Sequence, residues 1–266
     1  MTYLHIGFIG TGRIARALIA GLSEKKNSII SGFDNEPAAL ASIAAEYPVQ
    51  PCLSIEEIAL KAQVIILAVK PYQIVEVLEQ LKPFLTADHL IISVAAGISS
   101  EFILHNAIET LRVIRVMPNT PAFVGEGMTA VSKGKMASDD DVALACDLFS
   151  SIGRVAILNE SQMDAATALS GSGPAYMFQI LDSLAEGGVQ CGLTNEEALL
   201  LCAQTMLGAA KMVLTGAKSP ETLKREVTTP GGTTEAGLKV LDDHNIRKIL
   251  VETVAAATAR SVELMK

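Results

Sequence analysis

The sequence predicts an α/β protein in which a doubly wound, mainly parallel sheet is followed by an all-α domain. In the first 160 residues, short runs of β-branched residues alternate with stretches whose apolar residues recur three or four positions apart. Such alternation is typical of a parallel sheet with helices on both faces. After about Glu160 only helical patterns follow. We therefore predict two domains, covering residues 1–160 and 161–266.

The strands of the first domain are predicted from apolar runs of strand length. These runs are Leu4–Ile9, Ile29–Phe33, Val64–Val69, Leu90–Val94, Val113–Met117, Met128–Ser132 and Arg154–Leu158. Ser138 occupies a position where a helix N-cap is expected, and acidic residues follow it at 139–141. Negative charge in a first turn favours a helix start. These acids therefore indicate a helix rather than a metal site.

The second domain is predicted to consist of helices at about 161–170, 174–190, 195–215, 220–227, 233–243 and 245–265. Thr194 and Glu197 form the pattern of a capping box at the start of the third helix. That helix is apolar on nearly every side, whereas a surface helix carries one apolar stripe. A domain of roughly a hundred residues cannot bury such a helix alone, which predicts a homodimer.

Composition excludes several classes of protein. Half of the residues are hydrophobic and 19% are charged, unlike a disordered chain. The net charge of −8 offers no basic face to nucleic acid. The cysteines, at 52, 146, 191 and 202, form no C-x-x-C pair, so we expect free thiols in a reducing cytoplasm and no metal site. The N-terminus lacks the basic region of a signal peptide, and we expect no membrane span.

A glycine-rich segment follows the first predicted strand and opens a helix. It contains G-x-G-x-x-A at Gly10, Gly12 and Ala15. Gly10 permits a tight turn, Gly12 lets a pyrophosphate approach the backbone, and the helix N-terminus attracts the phosphates. This pattern indicates a Rossmann-type cofactor loop, which also includes Thr11, Arg13 and Ile14. Methyltransferases use a similar turn, so the loop alone does not identify the cofactor.

Asp34 ends the second predicted strand, 24 residues after Gly10. An acid at about this spacing binds the adenosine ribose in dinucleotide-binding proteins. Its carboxylate accepts hydrogen bonds from unphosphorylated ribose hydroxyls and repels a 2′-phosphate. If the cofactor is a nicotinamide dinucleotide, Asp34 therefore favours NADH.

Two further segments follow strands, where ligands of α/β sheets bind. The first is Ala68, Val69, Lys70 and Pro71, in which Lys70 is placed to meet a phosphate or a substrate carboxylate, or is a solvated surface charge. The second contains Asn119, whose amide offers both a donor and an acceptor to a cofactor. A proline-rich surface loop is the alternative for the second segment.

The segment at 228–238 combines two glycines with several threonines before a helix. Such a loop forms an anion nest of carboxylate size, the alternative being a simple N-cap. The four histidines stand in no nucleophile–base or metal-ligand pattern. An enzyme without these groups can leave the chemistry to its cofactor, and hydride transfer fits this arrangement.

These motifs together resemble the pyrroline-5-carboxylate reductase family. The resemblance runs from end to end and rests on six segments: 6–12, 68–71, 93–98, 115–121, 168–176 and 230–234. It implies a Rossmann domain, a helical domain that dimerises, and dimers that can assemble into decamers. It also implies that NAD(P)H reduces 1-pyrroline-5-carboxylate to L-proline.

The resemblance assigns roles to the threonine-rich loop. Thr234, as the catalytic residue, would bind the imine nitrogen through its hydroxyl, and the substrate carboxylate would bind Thr229, Gly231, Gly232 and Thr233. The site would form where the helical domain of one subunit meets the Rossmann domain of its partner. The family implies NADPH whereas Asp34 favours NADH, so both cofactors stay open.

Two other functions remain to be distinguished. A β-hydroxyacid-type dehydrogenase also pairs a Rossmann domain with helices and needs a catalytic lysine, for which Lys211 is the candidate. A nicotinamide-binding regulator without turnover would not need the intact loop at 228–234.

Overall fold

The computed structural model describes residues 3–25 and 28–264. Within these residues, eight strands form one sheet in the order β3-β2-β1-β4-β5-β6-β7-β8. The strands are β1 Leu4–Ile9, β2 Ser28–Phe33, β3 Val49–Pro51, β4 Val64–Leu67, β5 Leu90–Ser93, β6 Arg112–Met117, β7 Gly127–Lys133 and β8 Gly153–Ile157. All neighbouring pairs are parallel except β6 and β7. The predicted doubly wound, mainly parallel sheet is confirmed.

The described α-helices alternate with the strands and then continue alone. They are α1 Arg13–Lys25, α2 Pro37–Glu46, α3 Ile55–Lys61, α4 Ile74–Leu81, α5 Ser100–Asn106, α6 Asp139–Phe149, α7 Met163–Ala166, α8 Gly173–Gln190, α9 Asn195–Leu214, α10 Pro220–Glu226, α11 Thr233–Asp243 and α12 Ile246–Leu264. A π-helical turn, Thr167–Gly171, lies between α7 and α8. The capping box predicted at Thr194 and Glu197 begins α9.

Two apolar clusters, one on each face of the sheet, hold the first helices in place. Ile6 and Phe8 of β1 belong to one cluster and Ile9 to the other. This division follows from the alternation of side chains along a strand. The first cluster contains buried residues of α1, α2 and α6, and the second contains those of α3, α4 and α5. The sheet is therefore covered on both faces, as its apolar strands require.

Three elements of the structure differ from the sequence prediction by more than one residue. The sequence does not predict β3, because it is only three residues long, ends in a proline and lies at the edge of the sheet. β4 ends at Leu67 rather than Val69, which places Ala68 and Val69 in the following loop. The helix predicted over 161–170 is instead a 3₁₀ turn followed by α7 and the π-helical turn. The helix predicted over 245–265 is α12, and residue 265 lies outside the described residues.

The chain divides into two compact units. The first takes the chain up to Ser172 together with the segment from Ala256, and the second is Gly173–Ala255. The first unit contains the whole sheet, while the second contains α8 to α11 and the beginning of α12.

Helix α9 exposes most of its apolar side chains. Only Ala198 of this helix is buried, and Leu200 is 68% exposed. Among the described helices, α9 alone is long and apolar enough to cross a membrane. Core helices of soluble proteins can have the same length and composition.

Candidate active site

A cleft of about 490 Å³ lies at the carboxyl ends of β1, β2, β4 and β5. The strand order reverses between β1 and β4, where α/β sheets bind their ligands. Nine of the residues predicted to bind the cofactor line this cleft: Gly10, Gly12, Arg13, Ile14, Asp34, Ala68, Val69, Lys70 and Pro71. Residues that are distant in the sequence are thus brought together because each follows the end of a neighbouring strand.

The two glycines of the first loop have different structural roles. Gly10 has a φ of 90°, and a Cβ atom there would lie 2.7 Å from the carbonyl oxygen of Ala68. A Cβ atom at Gly12 would meet no atom within 4 Å. The fold therefore requires glycine at position 10, whereas the space beside Gly12 is open to a ligand. The N-terminus of α1 follows this space and favours an anion there.

Asp34 is held by the glycine-rich loop. The backbone N–H and the hydroxyl of Thr11 donate hydrogen bonds of 2.6 and 2.8 Å to Oδ2 of Asp34. The N–H of Glu36 donates to Oδ1 over 2.9 Å. Thr11 itself is buried and positions the carboxylate from behind the cleft. The loop after β1 and the loop after β2 are thereby joined by hydrogen bonds through Asp34.

The sequence analysis missed several residues of the cleft. Its lining also includes Ile9, Phe33, Asn35, Glu36, Ile55, Gln73, Val77, Val94, Ala95 and Ala96. Gln73 accepts a 3.1 Å hydrogen bond from the N–H of Lys70 and so fixes the loop after β4. Val94 to Ala96 directly follow β5, and this position was the signal that could have identified them.

Asn119 lies outside the lining of this cleft. Its Oδ1 accepts a 2.8 Å hydrogen bond from the N–H of Met128, and its Nδ2 donates to the carbonyl oxygen of Ser170 over 3.1 Å. Asn119 therefore connects the loop after β6 with the start of β7 and with the π-helical turn. Both the oxygen and the nitrogen of its side-chain amide are therefore used in hydrogen bonds within the protein.

The threonine-rich loop lies in the second compact unit, whereas the cofactor cleft lies in the first. Gly231 has a φ of 72° and its N–H donates to Oε2 of Glu235 over 2.8 Å. The N–H of Gly232 donates to the carbonyl oxygen of Thr229 over 3.0 Å. Two N–H groups of the expected anion nest therefore already have hydrogen-bond partners within this segment. Thr233 and Thr234 are the first residues of α11, where backbone N–H groups have no partner inside the helix.

A dinucleotide fits the cleft. The space beside Gly12 admits a pyrophosphate, the start of α1 attracts its charge, and Asp34 stands where a ribose hydroxyl is expected. No three or more His, Cys, Asp or Glu residues in the described chain are grouped to hold a metal ion.

Comparison with known proteins agrees with this geometry. Residues 160–264 match the family model for pyrroline-5-carboxylate reductase dimerisation, and residues 5–97 match that of the coenzyme F420-dependent NADP oxidoreductases. Pyrroline-5-carboxylate reductase 2 of Bacillus subtilis is 37% identical over 264 residues, covering 97% of this chain and 94% of that protein. The chain belongs to the pyrroline-5-carboxylate reductase family.

Solved structures of pyrroline-5-carboxylate reductases have the same fold. The enzyme from Coxiella burnetii is 37% identical, with a TM-score of 0.93 and full coverage of both chains. The pyrroline carboxylate reductase from Plasmodium falciparum, solved with NADP bound, is 31% identical, with a TM-score of 0.87 and full coverage of both chains. The structural likeness therefore extends over both compact units of the chain.

Proposed function

We propose that this protein is an NAD(P)H-dependent pyrroline-5-carboxylate reductase, which converts the cyclic imine 1-pyrroline-5-carboxylate to L-proline in the last step of proline biosynthesis. The observation that carries the proposal is the dinucleotide cleft in a chain that matches this reductase family over its whole length. The β-hydroxyacid dehydrogenase is not favoured, and its candidate lysine, Lys211, lies on the exposed α9.

The residues of the cleft bind and orient the cofactor. The N–H groups at the start of α1 and the open space at Gly12 hold the pyrophosphate, and Asp34 accepts a hydrogen bond from the adenosine ribose. Lys70 and the loops after β4 and β5 lie on the other side of the position between β1 and β4 where the strand order reverses. When bound there, reduced nicotinamide supplies the hydride for the C=N carbon of the imine.

The threonine-rich loop binds the substrate in this proposal. The hydroxyl of Thr234 donates a hydrogen bond to the imine nitrogen, whose charge changes as the C=N bond is reduced. Thr229, Gly231, Gly232 and Thr233 receive the substrate carboxylate. The unpaired N–H groups at the start of α11 support this role, since a helix N-terminus favours an anion. The N–H groups of Gly231 and Gly232 would exchange their present partners for the carboxylate.

The proposed enzyme is a cytoplasmic homodimer that can assemble further, up to a decamer. The match of residues 160–264 with a dimerisation model supports association. Activity would need the dimer, because a partner's helical domain completes the site. The free cysteines in the described chain are compatible with a reducing compartment.

The proposal is tested by measuring oxidation of NADH and NADPH when 1-pyrroline-5-carboxylate is added. Absence of oxidation with both cofactors contradicts the proposed activity. Thr234→Ala is expected to lower kcat by about 10²–10³, the usual effect of losing a donor at an atom whose charge changes. Thr234→Ser retains the hydroxyl and is the matched control. Unchanged kcat in Thr234→Ala, with cofactor affinity also unchanged, would refute the role of this hydroxyl.

A further inference from the structure

We propose that the cleft selects NADH over NADPH through two carboxylates at the end of β2, Asp34 and Glu36, while the guanidinium of Arg13 lies over the ring of Phe123. The inference rests on the proposed cofactor site and concerns the ribose end of that site. It depends on the fixed position of Asp34, on the charge contributed by Glu36 and on the placement of the nearby basic residues.

The carboxylate of Asp34 is oriented before any cofactor binds. Its Oδ2 accepts both hydrogen bonds from Thr11, and its Oδ1 accepts one from the N–H of Glu36. A carboxylate oxygen accepts about two hydrogen bonds. Oδ2 is therefore satisfied, and Oδ1 keeps one free position for a single ribose hydroxyl. An unphosphorylated 2′-hydroxyl can donate to this position, whereas a 2′-phosphate has no proton to donate when it is fully ionised.

Glu36 adds a second negative charge to the same end of the cleft. It is exposed, lines the cleft beside Asp34 and is the N-cap residue of α2. The N-terminus of α2 is the feature at this end that would attract a phosphate. Pro37 follows at the first helical position and has no N–H, and the N–H of Ala39 is bonded to the carbonyl oxygen of Glu36. The start of α2 therefore has few donors left for an anion.

The basic residues near this site are directed elsewhere. Among the described residues that line the cleft, Arg13 and Lys70 are the basic ones. The guanidinium of Arg13 lies 5.1 Å from the centre of the Phe123 ring, a cation–π distance, and Phe123 belongs to the segment after β6. Lys70 follows β4, on the other side of β1 from β2. Arg16, one turn further along α1, is paired with Glu46. Of the two basic residues in the lining, Arg13 is therefore engaged with Phe123, and Lys70 follows a different strand from Asp34 and Glu36.

A 2′-phosphate carries about −1.5 to −2 charges near neutral pH, by analogy with other phosphate monoesters. Beside two carboxylates it is repelled, and solvent and salt reduce but do not remove the repulsion. We expect NADH to bind about 10- to 100-fold more tightly than NADPH at low ionic strength. The preference should decrease as salt is added, because the repelled charges are partly exposed.

Calorimetric titration of the intact protein with NAD⁺ and NADP⁺, without substrate, tests the inference independently of activity. The wild type is expected to bind NAD⁺ more tightly. Glu36→Gln should strengthen NADP⁺ binding about tenfold and leave NAD⁺ binding nearly unchanged, since it removes charge without removing a ribose contact. Asp34→Asn should also strengthen NADP⁺ binding relative to NAD⁺. Glu109→Gln removes a charge just before the amino end of β6, whereas the cleft lies at the carboxyl ends of the parallel strands, and it should leave the ratio unchanged.

Thr11 provides a second test that does not alter the net charge. Thr11→Val removes one of the hydrogen bonds that orient Asp34 and should reduce the discrimination between NAD⁺ and NADP⁺, whereas Thr11→Ser should retain it. A wild type that binds NADP⁺ as tightly as NAD⁺, or a ratio that neither Glu36→Gln nor Asp34→Asn changes, overturns the inference. Reduction of the imine with NADPH preferred would overturn the inference and leave the proposed function intact. Selective NAD⁺ binding without imine reduction would support the inference and contradict the proposed function.

Discussion

At the scale of single residues, alanine substitutions at the two glycines of the cofactor loop are expected to change stability by different amounts. Gly10→Ala places a Cβ atom 2.7 Å from the carbonyl oxygen of Ala68 and forces alanine into a positive φ. We expect it to lower the free energy of unfolding by about 1–3 kcal/mol or more, measured by urea denaturation. Gly12→Ala meets no protein atom and only replaces glycine by alanine at the N-cap of α1, so the loss of stability should stay below about 1 kcal/mol.

The same two variants distinguish an effect on folding from an effect on cofactor binding. In Gly12→Ala the new methyl group occupies the space where a pyrophosphate approaches the backbone, so calorimetry should show weaker binding of NAD⁺ and NADP⁺ alike. Equal stability losses in the two variants would contradict the different roles of Gly10 and Gly12. Normal cofactor affinity in a folded Gly12→Ala protein would place the pyrophosphate elsewhere.

The sequence predicts a residue of this site well when its position depends on local geometry. Gly10 and Lys70 each follow a strand, and strand ends are recognisable from the apolar run before them. The contact between Thr11 and Asp34 depends on the pairing of β1 with β2, and no sequence pattern shows that Thr11 donates twice. Asn119 contacts Ser170, which is 51 positions away, so its role in the fold could not be predicted from a motif.

At the scale of secondary-structure elements, the π-helical turn packs against the end of β6 and is hydrogen-bonded to the loop that follows it. The turn packs against the side chain of Met117, whose Cε atom would lie 2.6 Å from a Cβ atom at Gly171. Asn119 donates to Ser170 in the turn and accepts from Met128 at the start of β7. π-Helical turns are uncommon and occur often near functional sites. We infer that Asn119 maintains the turn by joining it to the sheet.

Asn119→Ala is therefore expected to destabilise the protein by about 1–3 kcal/mol, because it leaves part-buried groups of Met128 and Ser170 without their partner. Urea denaturation at a fixed protein concentration measures the loss. Asn106→Ala is the matched control, since Asn106 makes one exposed hydrogen bond to Phe102 within its own helix. Similar stability losses in the two variants would show that the hydrogen bonds of Asn119 contribute no more than a surface contact.

Elements with a strong periodic pattern are predicted more accurately than short or irregular ones. The helices α9 and α11 lie within one residue of their predicted bounds, because a capping box marks the start of α9 and a glycine pair precedes α11. β3 has no such pattern and is stabilised by pairing with β2. The apolar spacing over 161–170 does not distinguish the π-helical turn from an α-helix, and the contacts of this turn with Met117 and Asn119 are distant in the sequence.

At the scale of the whole molecule, the exposed apolar side chains of α9 need a covering surface. Large exposed apolar patches mark contacts with another protein or a membrane. The match of residues 160–264 with a dimerisation model favours a second copy of this chain. The interface is expected to belong to the large apolar class, above about 2,000 Å². Association would then account for the membrane-like composition of α9.

Leu200→Glu tests this expectation, because it puts a charge on a leucine of α9 that is 68% exposed in the single chain. If α9 lies in the interface, the variant should dissociate, since an unpaired buried charge typically costs several kcal/mol. Sedimentation in buffer without detergent measures the oligomeric state, and imine reduction measures whether the monomer retains activity. Leu60→Glu on α3 is the control, because Leu60 is 71% exposed and lies in the other compact unit. It should remain dimeric and active. A wild type that sediments as an active monomer at micromolar concentration would contradict the requirement for a partner, and a Leu200→Glu dimer of normal stability would place the interface away from this part of α9.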